Sequence, residues 1–144
     1  MKRLTSHRAA FTLLEIMLVV IIIALLMGAA IWGMAGNLED AQKTRVQADV
    51  NSLTTQLTIY QAQNGFLPST EQGLKALMVK PDSEPKPRSW RPYMKSIPND
   101  PWDSPYFYIQ PGRHNPDSFD LFSAGKDRKP DTADDVGNWK PAGT

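Results

Sequence analysis

An apolar run near the N terminus constrains this chain of 144 residues more than any other feature. It extends from Phe11 to Ile31 and contains a single charged residue, Glu15. A helix of about 20 residues rises about 30 Å, which is the thickness of the hydrocarbon core of a bilayer. The run therefore predicts a membrane-spanning helix. A carboxylate within such a helix costs about 2.5–3.5 kcal/mol, so Glu15 needs an explanation.

The ten residues before this run are basic, which places them on the cytoplasmic side of a membrane. A secretory signal has its small residues after the apolar segment, whereas Ala9 and Ala10 precede it here. One interpretation is an uncleaved signal anchor, in which Glu15 extends to the membrane interface. The other is cleavage between Ala10 and Phe11, which would place a new α-ammonium one helical turn from Glu15.

Composition excludes several classes of function. The chain has no cysteine, so it has neither disulfides, nor thiolate metal sites, nor thiol catalysis. Its net charge of +1 argues against a surface that binds nucleic acid.

Residues 38–63 have the periodicity of an amphipathic helix. Apolar residues recur there at steps of four, three, four and three: Val46, Val50, Leu53, Leu57 and Tyr60. Asn64-Gly65 is a helix stop signal, and Gly33 and Gly36 mark a point where the long helix could end, bend or melt. The stripe predicts a helix that packs on a folded domain.

The composition changes at Pro68, because all twelve prolines lie at or after this residue. Residues 69–78 predict a short helix capped by Ser69 or Thr70. Residues 106–109 and 119–122 have strand composition. The predicted fold class is α+β, with the long helix packed on a small antiparallel sheet of two or three strands.

A loop near the C terminus has four aspartates within nine residues: Asp127, Asp131, Asp134 and Asp135. One interpretation is a solvated loop, since aspartate favours turns. Catalytic carboxylates are a second, but neither a nucleophile nor a recognisable pocket accompanies them. A hard-cation site is the third, because calcium binds carboxylate, hydroxyl and main-chain oxygens. The order of residues is not that of an EF-hand.

The N-terminal motif, Ala-Phe-Thr-Leu-Leu-Glu-Ile-Met-Leu-Val-Val, resembles that of type IV pilins and type II secretion pseudopilins. The resemblance implies that a prepilin peptidase cleaves after Ala10, where relatives usually have glycine, and methylates Phe11. It also implies that Glu15 aligns subunits during assembly. Three segments follow: a leader at 1–10, a transmembrane and assembly helix at 11–37, and a periplasmic globular domain at 38–144.

The C-terminal motifs are more specific, and together they are similar to those of the major pseudopilins of type II secretion. They are Thr70–Leu77, Asp100-Pro101-Trp102, Phe119–Ser123 and Asp134–Trp139. The resemblance implies a non-enzymatic subunit of a periplasmic pseudopilus that exports folded proteins. Its implied partners are further copies of itself, minor pseudopilins, an inner-membrane platform and an assembly ATPase.

The same resemblance implies that the acidic loop binds one Ca²⁺. The implied side-chain ligands are Asp127, Thr132, Asp134 and Asp135, and the implied main-chain ligands are Ala124 and Lys129. Two alternatives remain open at this point. One is a subunit of a type IV pilus or a DNA-uptake pseudopilus, and the other is a membrane-anchored, calcium-stabilised binding domain that never polymerises.

Overall fold

A computed structural model describes residues 12–139, except for the side chains of residues 30–37. The predicted leader and Phe11 lie outside these residues. The elements are helix α1 (Leu13–Asn64), a 3₁₀ helix (Leu74–Leu77) and strands β1 (Phe107–Ile109), β2 (Asp120–Ser123) and β3 (Val136–Gly137). The strands form one antiparallel sheet in the order β1-β2-β3. The predicted α+β fold, with a long N-terminal helix and a small antiparallel sheet, is confirmed.

The chain divides into two compact units, with the boundary between Asp40 and Ala41. In the first unit the backbone of α1 stays helical through Gly33 and Gly36, so the helix does not end at these glycines. Every side chain from Thr12 to Ala29 is exposed. Within residues 12–139 the structure contains no helix that is both long enough and apolar enough to cross a membrane.

The second unit has a core built on the predicted stripe of α1. Val46, Val50, Leu53, Leu57 and Tyr60 are all fully buried, as the periodicity predicted. They cluster with aromatic and aliphatic side chains of the sheet region: Tyr106, Tyr108, Phe119 and Leu121. Each buried side chain of this size contributes about 1.5–3 kcal/mol relative to leaving it exposed. The amphipathic half of α1 and the sheet therefore form one core.

Helix α1 ends where the Asn-Gly signal predicted. Gly65 has a φ of +85°, and its N–H donates to the Gln61 carbonyl at 2.7 Å. The buried Asn64 amide donates to the Tyr60 carbonyl at 3.0 Å and to the Tyr93 hydroxyl at 3.1 Å. A left-handed glycine closes the last turn without a Cβ clash, and the asparagine attaches the helix end to the following loop.

The helix predicted over residues 69–78 is shorter than expected. Ser69 and Gln72 form a reciprocal cap, in which the N–H of each donates to the side-chain oxygen of the other at 3.2 Å. Gly73 then adopts a φ of +54°, and only the 3₁₀ helix Leu74–Leu77 follows. Ser69 thus caps the turn at residues 70–73 and not the 3₁₀ helix, whose N-cap Gly73 makes no side-chain hydrogen bond. The positive φ of Gly73 prevents a continuous α-helix.

The sheet register brings both ends of the acidic loop together. Phe107 is paired with Phe122, and Ser123 at the end of β2 is paired with Val136 at the start of β3. The loop between these two paired residues is closed at its base by the ladder. This closure holds its aspartates within one short segment.

Candidate functional site: the N-terminal helix and the acidic loop

The first turn of α1 carries Glu15. The backbone N–H of Glu15 donates to the Thr12 hydroxyl at 3.2 Å and to the Thr12 carbonyl at 3.0 Å. Thr12 therefore caps the helix, and the carboxylate lies at the positive end of the helix dipole. Sequence analysis missed this cap, although Thr-Leu-Leu-Glu has the spacing of a capping box.

Glu15 is the only charged residue on an otherwise apolar segment of α1, from Leu13 to Ala29. The large side chains of this segment are 46–80% exposed, and they occupy all sides of the helix. A helix that is apolar on all sides is stable only when lipid or protein covers it. Ala10 and Phe11, the predicted processing residues, lie outside the described part of the chain.

The acidic loop changes direction at three left-handed residues. These are Gly125, Arg128 and Asp131, with φ values of +64°, +59° and +66°. Aspartate tolerates this conformation better than most residues, and glycine adopts it freely. Arg128 is neither glycine nor aspartate, so its positive φ is the least favourable of the three.

Thr132 lies at the centre of the predicted ligands. Its Oγ1 is 2.6 Å from Asp134 Oδ1 and 3.0 Å from the Lys129 carbonyl. It is also 3.4 Å from Asp127 Oδ1 and 3.4 Å from Asp135 Oδ1. A hydroxyl has only one proton, so it donates to only one of these four oxygens. The structure thus brings five of the six predicted ligands together.

The two adjacent carboxylates of the loop differ electrostatically. The Thr132 hydroxyl and the Asp127 N–H both donate to Asp134, and they lower the pKa of its carboxyl. Burial raises the pKa of Asp135, and N–H groups of Asp131 and Thr132 offset this effect only in part. The negative charge of Asp134 also raises the pKa of Asp135. A cation at this point would relieve the cost of ionising Asp135.

The donor set is chemically mixed. Across the described residues 12–139, no group of three or more His, Cys, Asp or Glu side chains is arranged to hold a metal ion. The three predicted aspartates therefore do not form a metal site by themselves, and the predicted set also includes a hydroxyl and two main-chain carbonyls. Oxygens of this kind suit calcium, which takes six to eight of them at about 2.3–2.6 Å.

Ala124, the sixth predicted ligand, is fully buried beside the cluster. A Cβ added to the next residue, Gly125, would lie 2.5 Å from both the carbonyl and the Oδ2 of Asp134. The main chain at 124–125 therefore packs directly against Asp134. Only glycine fits at residue 125, both for this reason and because of its positive φ.

A second loop supports the acidic loop from the side. Arg113 Nη1 lies 3.2 Å and 3.1 Å from the two carboxylate oxygens of Asp131. The backbone of that second loop is held by Asp120, whose Oδ2 accepts the N–H groups of Arg113 at 2.7 Å and His114 at 2.8 Å. The His114 ring stacks on Trp139 with centroids 4.0 Å apart.

Asp120 was not a candidate from sequence, but it is 1% exposed and accepts several hydrogen bonds. Burial raises the pKa of Asp120, but donors from His114, Arg113 and Asn115 outweigh burial, so the pKa lies below its usual value. Nothing in the local sequence distinguishes this buried acceptor from an exposed aspartate at the start of a strand.

We expect Asp120→Asn to destabilise the protein by about 2–3 kcal/mol, because an amide N–H₂ would face N–H groups that need an acceptor. The folded pKa is depressed, so the wild-type advantage should be complete above the usual aspartate pKa. It should be lost as the pH falls through the lower folded value. Urea midpoints of both proteins between neutral pH and acid measure this. Asp117→Asn, on the exposed side of the same loop, is the control and should change neither the stability nor its dependence on pH.

Comparison with known proteins identifies the family. Residues 33–139 match the family model of type II secretion system protein G, and residues 5–31 match the prokaryotic N-terminal methylation motif. The type II secretion system core protein G of Dickeya chrysanthemi is 44% identical over 135 residues, 92% of this chain and 87% of its own length. The core protein G of Escherichia coli K12 is 37% identical over 139 residues, 95% of this chain and 94% of its own length.

A solved structure agrees with these matches. The crystal structure of the major pseudopilin from the type 2 secretion system of enterohaemorrhagic Escherichia coli has 40% sequence identity and a TM-score of 0.67. The match covers 72% of this chain and 87% of that one. The family model spans most of the chain, and the likeness extends to the fold. The chain therefore belongs to the protein G family of type II secretion systems, the pseudopilin branch that its C-terminal motifs indicated.

Proposed function

We propose that this chain is a structural, non-enzymatic subunit that polymerises into the periplasmic pseudopilus of a type II secretion system and drives export of folded proteins across the outer membrane. The single observation that carries the proposal is the segment Leu13–Ala29. Its side chains are apolar except for Glu15, and all of them are exposed. When such segments of neighbouring subunits pack together, they bury apolar surface. Each Å² of this surface that is removed from water contributes about 25 cal/mol of stabilisation.

The same segment suits the inner membrane before assembly. In this proposal the subunit crosses that membrane once, with its basic N terminus in the cytoplasm and its second unit in the periplasm. Glu15 then lies at a depth where a carboxylate is costly. That cost makes the membrane-embedded state less favourable than a state in which Glu15 has a partner.

Cleavage by prepilin peptidase after Ala10 supplies the partner. It frees the α-amino group of Phe11, which carries a positive charge and is then methylated. Docking this ammonium beside the Glu15 carboxylate of a neighbouring subunit satisfies both groups. Repetition of a head-to-tail contact that does not close gives an open helical fibre. The platform and the assembly ATPase add subunits, and minor pseudopilins contribute further positions in the fibre.

Calcium in the acidic loop is the second element of the proposal. The side chains of Asp127, Thr132, Asp134 and Asp135 and the carbonyls of Ala124 and Lys129 would hold it. Support comes from the four oxygens crowded within 3.4 Å of the Thr132 hydroxyl. Bound calcium supplies positive charge to a carboxylate cluster. Since the loop joins β2 to β3, the ion stabilises a small domain that has no disulfide.

Processing of the N terminus tests the assembly proposal. We expect co-expression of the full-length chain with an active prepilin peptidase to yield a protein that begins at N-methylated Phe11, measured by intact-mass spectrometry. With the platform and the assembly ATPase also present, electron microscopy should show fibres. A strain without the peptidase is the control and should give the uncleaved chain and no fibres.

Two results would contradict this proposal. An intact Met1 in the presence of active peptidase would favour an uncleaved signal anchor. A processed chain that forms no fibres with the complete machinery would favour a membrane-anchored binding domain that does not polymerise.

A further inference from the structure

We propose that Asp100 and Ser123 are positioning residues for the calcium loop, and that they fix the direction of the Ala124 carbonyl. This inference rests on the calcium site proposed above and concerns residues outside its ligand set. Asp100 belongs to the turn before β1, 23 residues before Ser123 in the sequence. Asp100 is 3% exposed, and Ser123 at the end of β2 is fully buried.

The turn that contains Asp100 holds its carboxylate in place. Oδ1 accepts the N–H of Ser104 at 2.7 Å and the N–H of Trp102 at 3.0 Å. The Asp100 N–H donates to the Ser104 carbonyl at 2.9 Å, which closes the turn. The other carboxylate oxygen, Oδ2, is therefore available to accept a hydrogen bond from a residue outside this turn.

The Oδ2 atom of Asp100 accepts the hydroxyl proton of Ser123 at 2.5 Å. A hydroxyl has one proton and two lone pairs, so donation to Asp100 leaves its lone pairs for other donors. The N–H of Gly125 takes one of them, at 3.1 Å. Asp100 thus determines which way the Ser123 hydroxyl points, and Ser123 determines where the Gly125 N–H points.

The Gly125 N–H and the Ala124 carbonyl belong to the same peptide group. That group is planar and trans, so its N–H and C=O point in opposite directions. Fixing the N–H on Ser123 therefore fixes the carbonyl, which the resemblance assigns as a calcium ligand. The other side of the Gly125 backbone contacts Asp134, a second predicted ligand.

Burial makes this orientation hard to change. Ser123 and Ala124 are both fully buried, so water does not replace the bond to Gly125. A rotated peptide would leave the N–H without an acceptor, at a cost of about 1–3 kcal/mol. The carbonyl is therefore oriented during folding, before calcium binds, and less ordering remains to be done on binding.

Calcium affinity of the full-length chain in detergent micelles tests the proposal. Affinity is obtained from the calcium dependence of the thermal midpoint. Partners that orient metal ligands typically change affinity by roughly 10- to 100-fold, and we expect Ser123→Ala to weaken calcium binding within this range. Asp100→Asn should do the same, because its amide would donate to Ser123 and reverse the bond. Ser123→Thr keeps the hydroxyl and should retain most of the affinity.

Tyr108→Phe is the matched control. It removes another buried hydroxyl, which donates to the Pro68 carbonyl at 2.8 Å. This variant should lower the thermal midpoint in calcium and in chelator alike, with unchanged calcium affinity. If Ser123 had only a structural role, Ser123→Ala would likewise lower the thermal midpoint in both conditions and leave the calcium affinity unchanged.

Amide hydrogen exchange at Gly125, measured in chelator, tests the hydrogen bond without calcium. Ser123→Ala should accelerate this exchange, and Ser123→Thr should restore its protection. Wild-type calcium affinity in both Ser123→Ala and Asp100→Asn would overturn the inference while the calcium site stands. Absence of any calcium effect on the wild-type midpoint would overturn the site itself, and the inference with it.

Discussion

Glu15→Lys should abolish pseudopilus assembly while the second unit stays folded. In the proposed fibre the substituted ammonium would lie beside the α-ammonium of a neighbouring Phe11. Two like charges about 4 Å apart repel by about 4 kcal/mol at the effective dielectric of a protein surface. The helix dipole adds to this, since a cation in the first turn is unfavourable where the Glu15 carboxylate is favourable. Because every subunit repeats the contact, the penalty recurs along the whole fibre.

Fibre yield measured by shearing and electron microscopy checks this prediction. Folding of the second unit is followed by its thermal midpoint, which should not change because its core is built from residues 46 onward. Glu71→Lys makes the same change of charge at an exposed position of the second unit, and fibres should persist. Glu15→Gln removes the charge but keeps the size, and should give an intermediate yield. Normal fibres from Glu15→Lys would refute the assembly role of this residue.

The parts of the fold that could be predicted are those that leave a periodic or local pattern in the sequence. The buried stripe from Val46 to Tyr60 follows a helical period, and the helix end follows from Asn64-Gly65. Strand composition located β1 and β2, and the motifs indicated the family, whereas β3 was not located from the sequence. The 3₁₀ helix was mispredicted as longer because the positive φ of Gly73 depends on how its neighbours pack.

The residues missed by sequence analysis are acceptors whose role depends on distant partners. Asp100 has the sequence context of a turn and Asp120 that of a strand, and neither context distinguishes a buried carboxylate from an exposed one. Only the fold shows that Asp100 contacts Ser123, and that Asp120 holds the N–H groups of the 113–115 segment. Such contacts join segments whose spacing in the sequence follows no helical or strand period. Thr12 differs, because its capping-box spacing was present in the sequence.

Removal of calcium should lower the thermal midpoint of the protein by about 10–20 °C. Binding to the folded state alone adds about 2.7 kcal/mol when free calcium is 100 times its Kd. For a unit of about 100 residues, 1 kcal/mol shifts the midpoint by about 4–8 °C. Differential scanning calorimetry with calcium and with chelator measures the difference. Asp134→Ala should eliminate it, since Asp134 is a predicted ligand held by Thr132 at 2.6 Å.

Asp131→Asn is the matched control within the same loop, because the Asp131 carboxylate contacts Arg113 and is not a predicted ligand. It should keep the calcium-dependent shift.

Acidification provides an independent check. Burial holds the pKa of Asp135 above its usual value, so without calcium the ionised form opposes folding as the pH rises through that pKa. Calcium requires the ionised form, and the calcium-dependent shift should therefore shrink as Asp135 becomes protonated. A shift that is absent in the wild type, or that survives in Asp134→Ala, would leave the loop as a solvated turn without a cation.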